Sequence, residues 1–129
     1  ITGVPTMRQA RKQLTPESAV KKAVISILQF HGWMTAINVQ GMGTVRGRPD
    51  LEAYKNGFTL FVECKAPERR LKNGKIIRGE LSPDQVKYIE RLKAQDMTVI
   101  VTSDAEKFML ELEAIQERLW PGKGIRRIC

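Results

Sequence analysis

Two acids and a lysine, Asp50, Glu63 and Lys65, form the chemically most suggestive group in the chain. They flank Asn56-Gly57, the strongest short-range hairpin signal in the chain, so Asp50–Lys55 and Phe58–Lys65 read as two antiparallel strands. A two-residue turn pairs Lys55 with Phe58. Counting outward sets Tyr54 against Thr59, Ala53 against Leu60, Leu51 against Val62 and Asp50 against Glu63. Leu51, Ala53, Leu60 and Val62 then share one apolar face. Asp50 and Glu63 face each other on the other, about 5 Å apart at Cβ, where like charges destabilise a sheet unless something binds them. Lys65, two residues on, shares the face of Glu63.

Two hard oxygen ligands beside a lysine suit Mg²⁺-assisted hydrolysis of a phosphodiester. Carboxylates hold the hydrated cation. The metal polarises the phosphoryl oxygen and makes a bound water more acidic. The lysine positions that water or stabilises developing charge. A bare Glu-x-Lys is more often a solvated ion pair, and the facing Asp50 is what sets this pair apart. Two helical residues add to it. At 100° per residue Glu17 falls within about 20° of Val24 and Leu28, a carboxylate at the N-terminal end of a buried stripe. Gln85 shares a stripe with Tyr88, Ile89 and Leu92. Each also has a plain structural role, Glu17 as a first-turn acid and Gln85 in a Ser82-x-x-Gln85 capping box.

The ordered set is more specific than its parts. Glu17, then Gly47-Arg48-Pro49-Asp50-Leu51, then Val62-Glu63-Cys64-Lys65, then Leu81-Ser82-Pro83-Asp84-Gln85-Val86-Lys87-Tyr88 resembles a small standalone VRR-Nuc domain, a branch of the PD-(D/E)xK nuclease superfamily. The resemblance covers about residues 15–108. It implies a restriction-endonuclease-like core and a Mg²⁺- or Mn²⁺-dependent DNA endonuclease. It further implies that Asp50 and Glu63 are metal ligands with the backbone carbonyl of Cys64, that Glu17 supports the metal through water, that Lys65 is the catalytic lysine, and that Gln85 lies near the scissile phosphate, with Tyr88 one turn on. Asp96 departs from the family where a glycine commonly follows the second helix. Cys64 departs where an aliphatic residue is usual, and its side chain should point to the apolar face as a small hydrophobe. Two other readings stand beside this one: a non-catalytic nucleic-acid-binding module on the same fold, and a relative of archaeal-type Holliday junction resolvases. The first would be expected to have lost part of the set formed by Glu17, Asp50, Glu63, Lys65 and Gln85.

The rest of the chain must position these residues. Its 129 residues fit one domain over 15–120, with a basic arm at 1–14 and a basic tail at 121–129. The 42% hydrophobic content excludes a disordered chain. Thr15-Pro16-Glu17 starts a helix that runs to about Phe30, and Gly32 stops it. Residues 33–40 read as a strand, and 41–47, with Gly41, Gly43 and Gly47, as a loop. Asn73-Gly74 suggests a second, basic ribbon across 68–79. Ser82-Pro83-Asp84-Gln85 starts a helix to about Gln95. Thr98–Thr102 reads as a strand buried on both faces. Ser103-Asp104-Ala105-Glu106 reads as the capping box of a third helix, with Phe108, Leu112, Ile115 and Leu119 as its stripe. The order α-β-β-β-α-β-α gives an α/β fold, a small mixed sheet flanked by helices on both faces. His31 reads as a satisfied histidine at a helix end.

Charge and composition narrow the partners. With 22 Lys+Arg against 14 Asp+Glu the formal net charge is +8, which favours a polyanion. Cations cluster at Arg8, Arg11 and Lys12, at Arg46 and Arg48, at Arg69, Arg70, Lys72, Lys75 and Arg78, and at Lys123, Arg126 and Arg127. The middle two groups and Tyr88 are the expected DNA-binding residues. Asp104, Glu106, Glu111, Glu113 and Glu117 make another surface acidic. No run is apolar enough to span a bilayer, and no leader segment is evident, so no membrane partner is expected. Cys64 and Cys129 make no disulfide framework, which suits a reducing cytoplasm, such as that of a bacterial or phage-infected cell. Trp33, Met34, Met42, Met109 and Leu110 offer apolar surface for a homodimer acting on branched DNA such as a four-way junction.

Overall fold

The first helix, α1 (Pro16–Phe30), begins where Thr15 caps it, the Thr15 hydroxyl accepting from the Ser18 N–H at 3.0 Å. The structure is a computed structural model that describes residues 15–38 and 45–122. The basic arm, Gly41, Met42 and Gly43, and the tail with Lys123, Arg126, Arg127 and Cys129 lie outside the described residues. After α1 come β1 (Met34–Ile37), β2 (Leu51–Lys55), β3 (Phe58–Cys64), the two-residue strands β4 (Arg69–Arg70) and β5 (Ile76–Ile77), α2 (Pro83–Ala94), β6 (Thr98–Thr102) and α3 (Ala105–Leu119).

The main sheet has the order β1-β2-β3-β6. β1, β2 and β3 are antiparallel neighbours, whereas β6 runs parallel to β3 after the α2 crossover. The β2–β3 register is the one that the Asn56-Gly57 turn dictates, from Lys55↔Phe58 to Leu51↔Val62. It places Leu51, Ala53, Leu60, Val62 and Cys64 on one face. There they meet Val20, Val24 and Leu28 of α1 and Phe108, Leu112 and Ile115 of α3 to form the core. The other face carries α2, which packs against β6. β4 and β5 form the separate basic ribbon.

Three local expectations need correction. The 33–40 strand is shorter among the described residues, Met34–Ile37. β6 is not buried on both faces: Ile100 and Thr102 are buried, but Val101 is 41% exposed. Among the described residues β6 lies at the edge of the sheet, and Val101, opposite Glu63 on the α2 face, is left partly uncovered. The third helix is not started by a box built on Ser103. Its cap is Asp104, whose carboxylate accepts from the N–H groups of Glu106 at 2.9 Å and Lys107 at 3.3 Å. Asp96, standing where a glycine is commoner, takes the left-handed conformation at φ 60°.

The turn end of the hairpin is clamped. Trp33, Phe58 and Trp120 stack edge-on or tilted. The Trp33 indole N–H donates to the buried Gln116 Oε1 at 2.8 Å, and Lys55 Nζ donates to the His31 carbonyl at 2.6 Å. Trp33 is therefore core rather than interface surface. Met34 and Leu110 are exposed, at 68% and 63%. With one end closed by aromatic packing, the strand ends at Asp50, Glu63 and Lys65 are left for the site.

Candidate active site

Asp50 sits one residue before β2, and its backbone is held from both sides. Its carbonyl accepts from Asn38 N–H at 2.7 Å, and its own N–H donates to Glu63 Oε1 at 3.3 Å. Its carboxylate accepts the Cys64 N–H at 3.0 Å. Asp50 and Glu63 are thus cross-tied by backbone donors just beyond the Leu51↔Val62 pair that ends the β2–β3 ladder, and both are buried. Lys65 Nζ lies 3.7 Å from Glu63 Oε2.

Gln85 closes the cluster from α2. Ser82 and Gln85 form the full capping box, so the first turn of the helix fixes the amide. The amide then reaches the strand: Lys65 Nζ donates to Gln85 Oε1 at 2.8 Å, and Gln85 Nε2 donates to Glu63 Oε2 at 3.1 Å. Ser82 N–H shares the same Gln85 oxygen at 2.8 Å. The capping role and the site role of Gln85 are therefore one arrangement. Glu17 is half-buried in the first turn of α1, within electrostatic reach of Cys64.

Burial, then the Asp50 charge, pushes the Glu63 carboxyl up to about 7, and Lys65 opposes the shift. Burial also pushes the Cys64 thiol up to about 12, so Cys64 is an inert core side chain and no nucleophile. Two carboxylates crowded until one resists ionisation form a donor set that a divalent cation relieves. Among the described residues no three His, Cys, Asp or Glu gather as a ready-made metal cage. A cation held by Asp50 and Glu63 would draw its other ligands from backbone oxygen and water, as Mg²⁺ commonly does.

Two features of the site depend on tertiary neighbours. Lys21 of α1 places its ammonium 3.7 Å from Asp50 Oδ1. In the sequence, Lys21 follows Glu17 by four residues and so shares its helical face. The second is a polar network on Glu52. Arg48 pairs with it, the Tyr54 hydroxyl donates to it at 2.6 Å, and the Asn38 amide donates at 3.0 Å. Burial raises the Glu52 carboxyl, but these hydrogen bonds together hold it below its ordinary value. Period-two alternation from Asp50 through Glu52 to Tyr54 was the available signal. Arg48, expected on DNA, is thus engaged with Glu52.

The other cations expected to bind DNA remain outward, whereas Tyr88 is half-buried. Arg46, Arg69, Arg70, Lys72, Lys75 and Arg78 are exposed, and Arg78 Nε lies 3.2 Å from Glu68 Oε2. The ribbon roots beside the site, because a Cβ on Gly79 would meet Lys65 Cβ at 3.0 Å.

Gly47 joins the Asp50 loop to the Gln85 helix. At φ +83°, a Cβ there would lie 2.2 Å from the Asp84 carbonyl oxygen and 2.8 Å from Gln85 N. Gly57 has nearly the same φ, +80°, with nothing within 4 Å of its Cβ position. Gly57→Ala should therefore cost only backbone strain, about 1–2 kcal/mol. Gly47→Ala should cost clearly more, since α2 or the loop must move. Urea denaturation checks this, and equal losses would mean that the close approach is not needed.

Comparison of the chain with family models, curated proteins and solved structures found no match.

Proposed function

We propose that this chain is a Mg²⁺- or Mn²⁺-dependent DNA endonuclease of the VRR-Nuc type, hydrolysing phosphodiester bonds and acting as a homodimer on branched DNA. One observation carries the reading. Asp50, Glu63, Lys65 and Gln85 come from two strand ends and a helix start, and they meet in one hydrogen-bonded cluster. A purely structural ion pair would not need a helix-borne amide bridging the acid and the base.

In this reading Asp50 and Glu63 hold the cation, with Glu17 and the Cys64 carbonyl in support. When bound, the cation supplies Lewis acidity to the phosphoryl group and a more acidic water. Lys65 provides a fixed positive charge where phosphate charge develops. Gln85 sets the rotamers of Lys65 and Glu63 through its two bonds, so neither must reorganise during reaction. The outward cations of the ribbon contact phosphates away from the cut and position the strand. Among the described residues no helix is long and apolar enough to cross a membrane. Exposed Met34 and Leu110 provide apolar surface for pairing two copies.

A panel of labelled single-stranded, duplex, flap and four-way DNA, with Mg²⁺ or Mn²⁺ and with EDTA, is the test. Ion-dependent nicking that vanishes in Asp50→Asn is the expected result. DNA binding without nicking under any ion would leave the non-catalytic module as the better reading. Paired cuts at the four-way junction would support a homodimer acting on branched DNA, and equal cleavage of linear duplex would remove the branched substrate from the reading.

A further inference from the structure

Beyond the cluster, α2 carries a second set of side chains on the stripe that begins at Gln85. An open groove of about 420 Å³ is lined by Val45, Tyr88, Arg91, Leu92, Ala94 and Gln95. Tyr88 follows Gln85 by three residues, which places the two side chains about 5–6 Å apart at Cβ. The groove therefore starts next to the candidate catalytic centre and runs away from it along the helix.

Its chemistry is specific. Val45, Leu92 and Ala94 give apolar walls, Tyr88 gives an aromatic face, Arg91 a guanidinium plane and Gln95 an amide. An aromatic ring and a guanidinium with apolar walls and one amide suit a flat heterocycle with polar edges. The cation at Arg91 also suits a polyanion's strand. We propose that the groove takes one unpaired nucleobase, from the nucleotide adjacent to the phosphate held at Lys65. A base inside a duplex presents no free face to Tyr88, so the occupant must be unstacked. The substrate class is thereby narrowed to DNA with an unpaired nucleotide beside the cut, as at a flap or junction branch. This rests on the nuclease reading above, and the experiment separates the two.

The probe is DNA with a single 2-aminopurine stepped through the positions around a duplex–single-strand boundary, bound to the Asp50→Asn protein. One unpaired position next to the cut should change fluorescence sharply on binding. Tyr88→Leu in the same background should abolish that change and weaken binding by roughly 10-fold. Tyr88→Phe, which keeps the ring, should recover the signal. Arg91→Ala, at an exposed position that does not threaten folding, should also reduce it. Absence of binding to any DNA would overturn the nuclease reading itself. Firm binding with no position-specific change, a change at a paired position, or a signal indifferent to Tyr88→Leu and Arg91→Ala would overturn the groove while leaving the nuclease reading intact.

Discussion

Cleavage by Lys65→Ala is expected to fall by about 100- to 1,000-fold, the usual loss for one preorganised group facing developing charge. Lys65 sits 3.7 Å from Glu63 and donates to Gln85 at 2.8 Å, so it is fixed before any substrate arrives. Its proposed role is on phosphate and water, not on metal. Mn²⁺ binding should therefore survive the substitution. One complication has a known sign. Lys65 opposes the rise in the Glu63 carboxyl, so its removal lets that group hold its proton to higher pH. Binding should accordingly be compared at pH 8.5, where proton competition is weakest. Single-turnover cleavage and calorimetry on the same variant check both halves. Normal cleavage would remove Lys65 from the chemistry, and loss of metal at pH 8.5 would make it part of the binding site instead.

Glu63→Gln should lose cleavage yet gain stability at alkaline pH. The Glu63 carboxyl rises from 4.5 to about 7, first through burial and then through the Asp50 charge. Between these values the folded chain keeps a proton that the unfolded chain has released. Wild-type stability therefore falls as pH rises through that window, with the cost absent below about 4.5 and full above about 7. Glutamine does not ionise. The stability difference, variant minus wild type, should open from pH 4.5 to pH 7 and then level off. Urea denaturation across that range measures it, and parallel curves would mean that Glu63 is not strained in the folded state. Added Mg²⁺ at pH 8 should narrow the gap by stabilising the wild type alone.

Much of this site was legible because local rules fix it. An Asn-Gly turn and a side-chain period of two leave one register, and its end at Leu51↔Val62 brings Asp50 within hydrogen-bond reach of Glu63. Ser82-x-x-Gln85 announced its own geometry. What was not legible depends on tertiary neighbours. Nothing in TVIVT says that β6 ends at a sheet edge with Val101 exposed. Nothing in Arg48 says that it turns to Glu52 rather than outward, because that pairing needs β1 and Asn38 alongside. The approach of Gly47 to Asp84 joins residues far apart in the chain, which glycine content alone does not reveal.

The proposed nuclease depends on a divalent-cation site formed by Asp50 and Glu63 together. Calorimetric titration of Mn²⁺ into the wild-type protein and into the Asp50→Asn, Glu63→Gln double variant at pH 8 tests it most directly. Saturable binding to the wild type is expected, with no binding heat in the double variant. Equal binding to both proteins would contradict it.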